Sequence, residues 1–164
     1  MRLRILLHFA PCLLAASCGT APSPHAPPAP LTLRPHAPDD QVRLEDRDGA
    51  SVIHVRCPRG IGRLEISRTS DAWPRSITLV LDLGGLEGFT AGDGERTVSG
   101  FLGNPHPQVE VRDHGGKSSL VADTGDFAMP IRRTGDRRIE VDLPRVLLGS
   151  GSRMLTIEWV DAYR

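Results

Sequence analysis

Thiols and carboxylates are the side chains of this 164-residue sequence whose types and positions bear on chemistry. Cys18 follows the small residues Ala15-Ala16-Ser17 at the end of an apolar run, whereas Cys57 closes the alternating series Ile53, Val55, Cys57 and reads as a buried, inert thiol. Among the carboxylates, Asp123 in Ala122-Asp123-Thr124-Gly125-Asp126 has the setting of an acid that could activate water if a second carboxylate shared its proton. Turn chemistry explains the same letters equally well. Asp93, Glu95, Asp123 and Asp126 gather oxygens near turns, as calcium sites do, but lack the spacing of a defined loop. The sequence has no G-x-S-x-G and no phosphate-cradling glycine loop with lysine. His25 and His36 stand eleven apart and His106 and His114 eight apart, neither pair at metal spacing. From these residues no catalytic group, metal ligand or cofactor is assigned.

The elements that hold these residues begin with the amino terminus. Arg2 and Arg4 precede Ile5–Ala16, an apolar run interrupted by His8 and Pro11. It falls short of the roughly twenty apolar residues a spanning helix needs. A positive start, a short apolar stretch and a small-residue end are the layout of an export signal, which predicts removal of residues 1–17. Leu14-Ala15-Ala16-Ser17-Cys18 resembles the lipobox of bacterial lipoproteins, with alanine at Ala15 where leucine is commonest. That resemblance implies that Cys18 is lipidated and becomes the first residue of the mature chain. Gly19, in place of an aspartate, implies sorting to the outer membrane under the enterobacterial rule.

Between Gly19 and Asp40 stand seven prolines, with only Leu31 and Leu33 as large apolar side chains. This composition predicts an extended tether over residues 18–44 that contributes nothing to the fold. Removing residues 1–17 takes away two arginines and no acid, leaving 18 basic and 20 acidic residues, a balance that argues against a nucleic-acid partner. The charges interleave, as in Arg43-Leu44-Glu45-Asp46-Arg47-Asp48, and read as solvated faces and turns. With Cys12 removed and Cys18 acylated, Cys57 has no partner for an internal disulfide.

Residues 45–164 suffice for one domain. Ile53/Val55/Cys57, Leu64/Ile66, Ile77/Leu79/Leu81/Leu83, Val109/Val111, Ile139/Val141/Leu143 and Leu155/Ile157/Trp159 recur at spacing two, each set aimed at one face of a strand. Glycine-, proline- and aspartate-rich turns separate them. The pattern predicts an all-β domain: a single antiparallel β-sandwich, or partly open barrel, of about seven to nine strands. Gln108–Val121 reads as a hairpin, and Pro144–Leu148 as a single helical turn opened by proline.

Trp73-Pro74, Gly85-Leu86-Glu87-Gly88-Phe89 and the terminal Trp159-Val160-Asp161-Ala162-Tyr163-Arg164 resemble a β-rich domain of uncharacterised bacterial exported proteins. That resemblance implies fold and no substrate. Trp159 continues an inward series and is expected in the core. Asp161, Tyr163 and Arg164 are expected to close the sheet through a carboxylate–guanidinium pair and a packed phenol. Trp73 is the candidate exposed aromatic, and Glu87 sits in a glycine-flanked turn. Trp73, Glu87, Asp161, Tyr163 and Arg164 are thus the candidate ligand-binding residues.

Leu120–Gly125, with Val146-Leu147-Leu148-Gly149 as a hydrophobic backing, resembles the D-T-G active site of dimeric retropepsin-like aspartic proteases. Too few residues separate the two segments to hold the flap hairpin and returning strand of that family. The expected protein is a lipid-anchored, non-catalytic β-sandwich of the cell envelope. It would be held on a membrane and bind an envelope protein or a glycan. The alternative is a small hydrolase centred on Asp123.

Overall fold

Side chains alternate between two environments along nearly every extended segment, and the alternation assembles two sheets. The computed structural model describes residues 30–164 except 58, 101–107, 114–117, 123, 124 and 164. One sheet contains β1 (Leu31–Pro35), β4 (Ile61–Arg68), β6 (Gly88–Gly92), β7 (Arg96–Gly100), β8 (Gln108–Asp113), β9 (Ser118–Ala122) and β12 (Met154–Val160), in the order β1-β4-β12-β6-β7-β8-β9. The other contains β2 (Gln41–Arg47), β3 (Ala50–Arg56), β5 (Ser76–Leu81), β10 (Ile131–Gly135) and β11 (Arg138–Asp142), in the order β10-β11-β5-β3-β2. The two sheets share one apolar core and do not close into a barrel, so the fold is a β-sandwich.

Twelve strands stand where seven to nine were expected. The difference begins at the supposed tether. Residues 31–44 belong to the fold: Leu31 pairs with Arg68 and Pro35 with Leu64, while Gln41 through Arg47 pair with Arg56 back to Ala50. Leu31 and Leu33 on β1, like Val42 and Leu44 on β2, pack against the core. Proline density misled because β1 lies at a sheet edge, where a missing N–H costs no ladder hydrogen bond. The β2–β3 hairpin turns on Asp48-Gly49 with φ of 48° and 79°, the left-handed pair that a two-residue turn of this kind needs.

The sandwich is also not wholly antiparallel. β3 and β5 run parallel, Ile53 beside Leu79. The chain leaves β3, crosses to the other sheet as β4 and returns as β5, so two strands of one layer point the same way. Hairpin β8–β9 pairs Val109 with Val121 as the sequence implied, and Arg145–Leu148 forms the single helical turn α1 after Pro144.

Trp159 is the largest side chain among the fully buried residues, 1 % exposed. Its strand partner is Gly62, and a Cβ at Gly62 would lie 2.1 Å from Trp159 Cζ2. The ring therefore fills space that only glycine leaves open. Phe89, Leu64, Ile66, Ile53, Leu79, Leu81, Ile139 and Met129 complete the centre, and α1 contributes Leu147. Cys57, 1 % exposed, places its Sγ 3.3 Å from the Ile61 carbonyl and is the buried thiol expected.

Candidate binding surface

Strand registers define two ends of the sandwich. At one, Leu31 meets Arg68 and Met154 meets Ser67; at the other, Pro35 meets Leu64 and Val160 meets Ile61. The carboxyl-terminal motif lies at the second end. Beyond β12, the Asp161 carboxylate is 2 % exposed and accepts hydrogen bonds from the backbone N–H groups of Gly84 at 3.2 Å, Gly85 at 3.0 Å and Tyr163 at 3.2 Å. The Glu87 N–H donates to the Val160 carbonyl at 2.8 Å. A charged acceptor thus ties the turn after β5 to the end of β12.

Tyr163 lies over this junction, 78 % exposed, with its ring so close to Gly85 that a Cβ there would fall 2.5 Å from Cε2. Arg133 closes the other side, donating to the carbonyls of Gly84 at 2.7 Å and Asp136 at 2.9 Å. Glu87 is exposed beside them. The structure therefore brings Glu87 together with Asp161 and Tyr163, which lie more than seventy positions further along the chain. Arg164 lies outside the described residues. Asp161 has these backbone amides among its partners, and the guanidinium pairing expected of it involves Arg164 and so falls outside the described residues.

Trp73 does not join them. It is 8 % exposed at the opposite end, where its Nε1 donates to the Ser152 carbonyl at 3.1 Å and the Arg68 guanidinium lies 5.7 Å from its ring centroid. The expected exposed aromatic is a core residue, because the loop following β4 folds its indole inward under Ser152. Asp93 is likewise structural: its Oδ1 accepts from the N–H groups of Glu95 at 2.9 Å and Arg96 at 2.6 Å, closing the β6–β7 turn. Cys18, Asp123, His25, His106 and His114 lie outside the described residues. Gly125–Phe127 forms a short 3-10 turn against α1. Among the described residues no three metal-ligating side chains cluster.

Sequence reasoning passed over the outer face of the five-stranded sheet. The residues between the inward series point outward: Arg43, Glu45 and Arg47 on β2, His54 and Arg56 on β3, Val80 on β5, Arg138, Glu140 and Asp142 on β11, and Arg132 on β10. Near the Asp161 junction this face opens into a groove of about 320 Å³ lined by Arg43, His54, Arg56, Val80, Asp82, Arg137 and Arg138. The visible signal was charge at spacing two, out of phase with the apolar series.

Hydrogen bonding from Arg47 holds the Glu45 carboxyl below its usual range, helped by His54 and by the charge of Arg43. At Asp142, partial burial pulls upward, but hydrogen bonds from Arg132 at 2.7 Å and Thr78 at 2.7 Å, with the arginine's charge, leave the carboxyl below its ordinary value. The same hydrogen bond raises Arg132 further above its already high value.

This all-β sandwich, with its carboxylate-tied end and charged outer face, matches no family model, no curated protein and no solved structure.

Proposed function

We propose that this chain is a lipid-anchored protein of the bacterial cell envelope, acylated at Cys18 after removal of residues 1–17, whose β-sandwich acts as a non-catalytic binding module. The observation that carries the reading is the polarity of the fold. The chain enters β1 at Leu31 beside Arg68, while Glu87, Asp161, Tyr163 and the arginine-lined groove lie toward the other end. Eight residues of β4 separate the two ends, about 25 Å at the rise of a strand.

Because β1 begins at Leu31, only the twelve residues Gly19–Pro30 remain between the lipid and the sandwich. At about 3.1 Å per residue in extended polyproline form they span at most some 37 Å. The attachment point is therefore at the end that carries Trp73 and Met154, and the opposite end lies farthest from it along the strands. Acyl chains at roughly 0.8 kcal/mol per buried methylene hold such a protein durably once two are present. Gly19 after the cysteine supports the outer membrane as destination, and an envelope protein or a glycan is the partner class.

Mass spectrometry of the mature amino terminus tests the anchor. An acylated Cys18 supports it, together with loss of membrane association in Cys18→Ala. A free terminus at another residue overturns it.

A further inference from the structure

Nineteen of the twenty cationic residues in this sequence are arginine, the exception being Lys117. A guanidinium presents a planar fork of donors that matches carboxylate and phosphate in bidentate fashion, which an ammonium does not. On the outer face of the five-stranded sheet these forks outnumber the carboxylates that hold them. Glu45 serves Arg47, Arg43 at 3.5 Å and His54 at 3.4 Å. Asp82 serves Arg137 at 3.1 Å and Arg56 at 3.8 Å, and Glu140 serves Arg138 at 2.9 Å and Arg132 at 3.7 Å. Arg56 thus meets Asp82 beyond hydrogen-bond distance, and its side chain is 71 % exposed.

With Glu45 and Glu140 reaching Arg43 and Arg138 from beside it, the groove keeps an excess of cations. Four arginines line it against one acid, Asp82, although the mature chain carries more acidic than basic residues. Strand order sets the geometry: β2 and β3 carry Arg43 and Arg56 on one side, β11 carries Arg138 on the other with Arg137 beside it, and β5 lays Val80 between them. Three strand intervals of about 4.8 Å put the outermost arginine backbones some 14 Å apart. A 320 Å³ groove is of the size that accepts a small ligand rather than a folded partner.

We propose that this groove binds a small multivalent oxyanion, a ligand with two or more carboxylate or phosphate groups on a compact apolar body. The anionic groups engage Arg43 and Arg56 on one wall and Arg137 and Arg138 on the other, while the body covers Val80. Asp82 is the internal competitor: it occupies Arg56 and Arg137 until the ligand's own oxygens replace it. The proposal rests on the reading of the protein as a binding module and supplies that module's ligand chemistry. It is independent of the lipid on Cys18, so failure of the anchor leaves it standing, and its own failure leaves the anchor untouched.

Calorimetric titration of the detergent-solubilised full chain tests it, with benzene-1,3,5-tricarboxylate and pyrophosphate as probes and the neutral benzene-1,3,5-tricarboxamide as control. The tricarboxylate, pyrophosphate or both should saturate the protein at one site, with affinity falling as salt rises, and the preferred probe assigns carboxylate or phosphate. The double variant Arg56→Gln/Arg138→Gln should weaken binding by about tenfold or more through lost charge-assisted hydrogen bonds. Asp82→Asn should tighten it severalfold, which a purely structural Asp82 would not do. Arg153→Gln, 74 % exposed and at the opposite end, should bind as the parent does. Unchanged circular dichroism would verify that the variants remain folded. Absence of saturable binding to both anions at low salt would overturn the proposal. So would equal binding by the parent and the double variant, or binding of polyglutamate with neither small anion bound.

Discussion

Asp161 offers the most direct energetic test of how the sandwich is fastened. Its carboxylate gathers the N–H groups of Gly84, Gly85 and Tyr163, and the Gly85 bond is buried. In Asp161→Ala the donors at Gly84 and Tyr163 lie near enough to solvent to recover water, but the Gly85 N–H is orphaned. A buried donor left unpaired costs about 1–3 kcal/mol, and a hydrogen bond to a charged acceptor contributes about 1.5–3 kcal/mol. With partial recovery at the two outer donors, the loss should be about 3 kcal/mol, a large part of the roughly 5–15 kcal/mol that stabilises a domain. At about 3–4 °C per kcal/mol for this size, the midpoint should fall by roughly 10 °C. Asp161→Asn keeps one acceptor oxygen while turning an NH2 group toward a backbone N–H, and should fall between the two. Thermal unfolding followed by circular dichroism measures all three proteins. An Asp161→Ala midpoint within about 2 °C of the parent would refute the idea that this carboxylate ties the β5 turn to β12.

Three further outcomes follow from the packing. A chain beginning at Glu45 lacks β1 and more than half of β2, and should unfold at a clearly lower urea concentration than one beginning at Gly19; equal midpoints would mean that residues 31–44 are dispensable. Gly62→Ala drives a methyl into the Trp159 ring and should destabilise by about 1–3 kcal/mol as an overpacked core, measurable by urea unfolding, whereas a neutral result would show that the indole can move aside. Because the folded Asp142 carboxyl lies below its unfolded value, its stabilisation is present above about pH 4 and disappears as pH falls through the folded value. Asp142→Asn should therefore be less stable than the parent at pH 7 and converge on it as pH falls through the folded value, with parallel curves counting against the Arg132 pairing.

The sandwich was legible wherever large apolar residues alternate without interruption. Ile77, Leu79, Leu81 and Ile139, Val141, Leu143 located β5 and β11, and Leu155, Ile157, Trp159 located the terminal strand. β1 was hidden because five flanking or internal prolines outweighed Leu31 and Leu33, although an edge strand tolerates the one it contains, Pro35. β6 and β7 were hidden by glycine and threonine, with only Phe89, Ala91 and Val98 facing inward. The parallel pairing of β3 with β5 is a property of layering, which periodicity within one strand does not encode. At the candidate surface, the sequence marked Asp161 and Tyr163 but not the amides of Gly84 and Gly85, which become neighbours of Asp161 only when the sheets close. The arginine groove was passed over because interleaved charges read as solvated along the chain. Only strand order gathers Arg43, Arg56 and Arg138 on one face.

The central claim is that the lipid on Cys18 holds the sandwich by one end and leaves the Asp161 and Tyr163 end free. Depth-dependent fluorescence quenching on the acylated full chain in vesicles measures this directly, with a dye attached through Asp71→Cys near the β1 start or through Tyr163→Cys at the far end. Both sites are exposed, the Asp71 side chain fully and Tyr163 at 78 %. Quenchers fixed at the lipid headgroups should extinguish the dye at 71 far more strongly than the dye at 163. Equal quenching at the two sites, or stronger quenching at 163, would contradict the account.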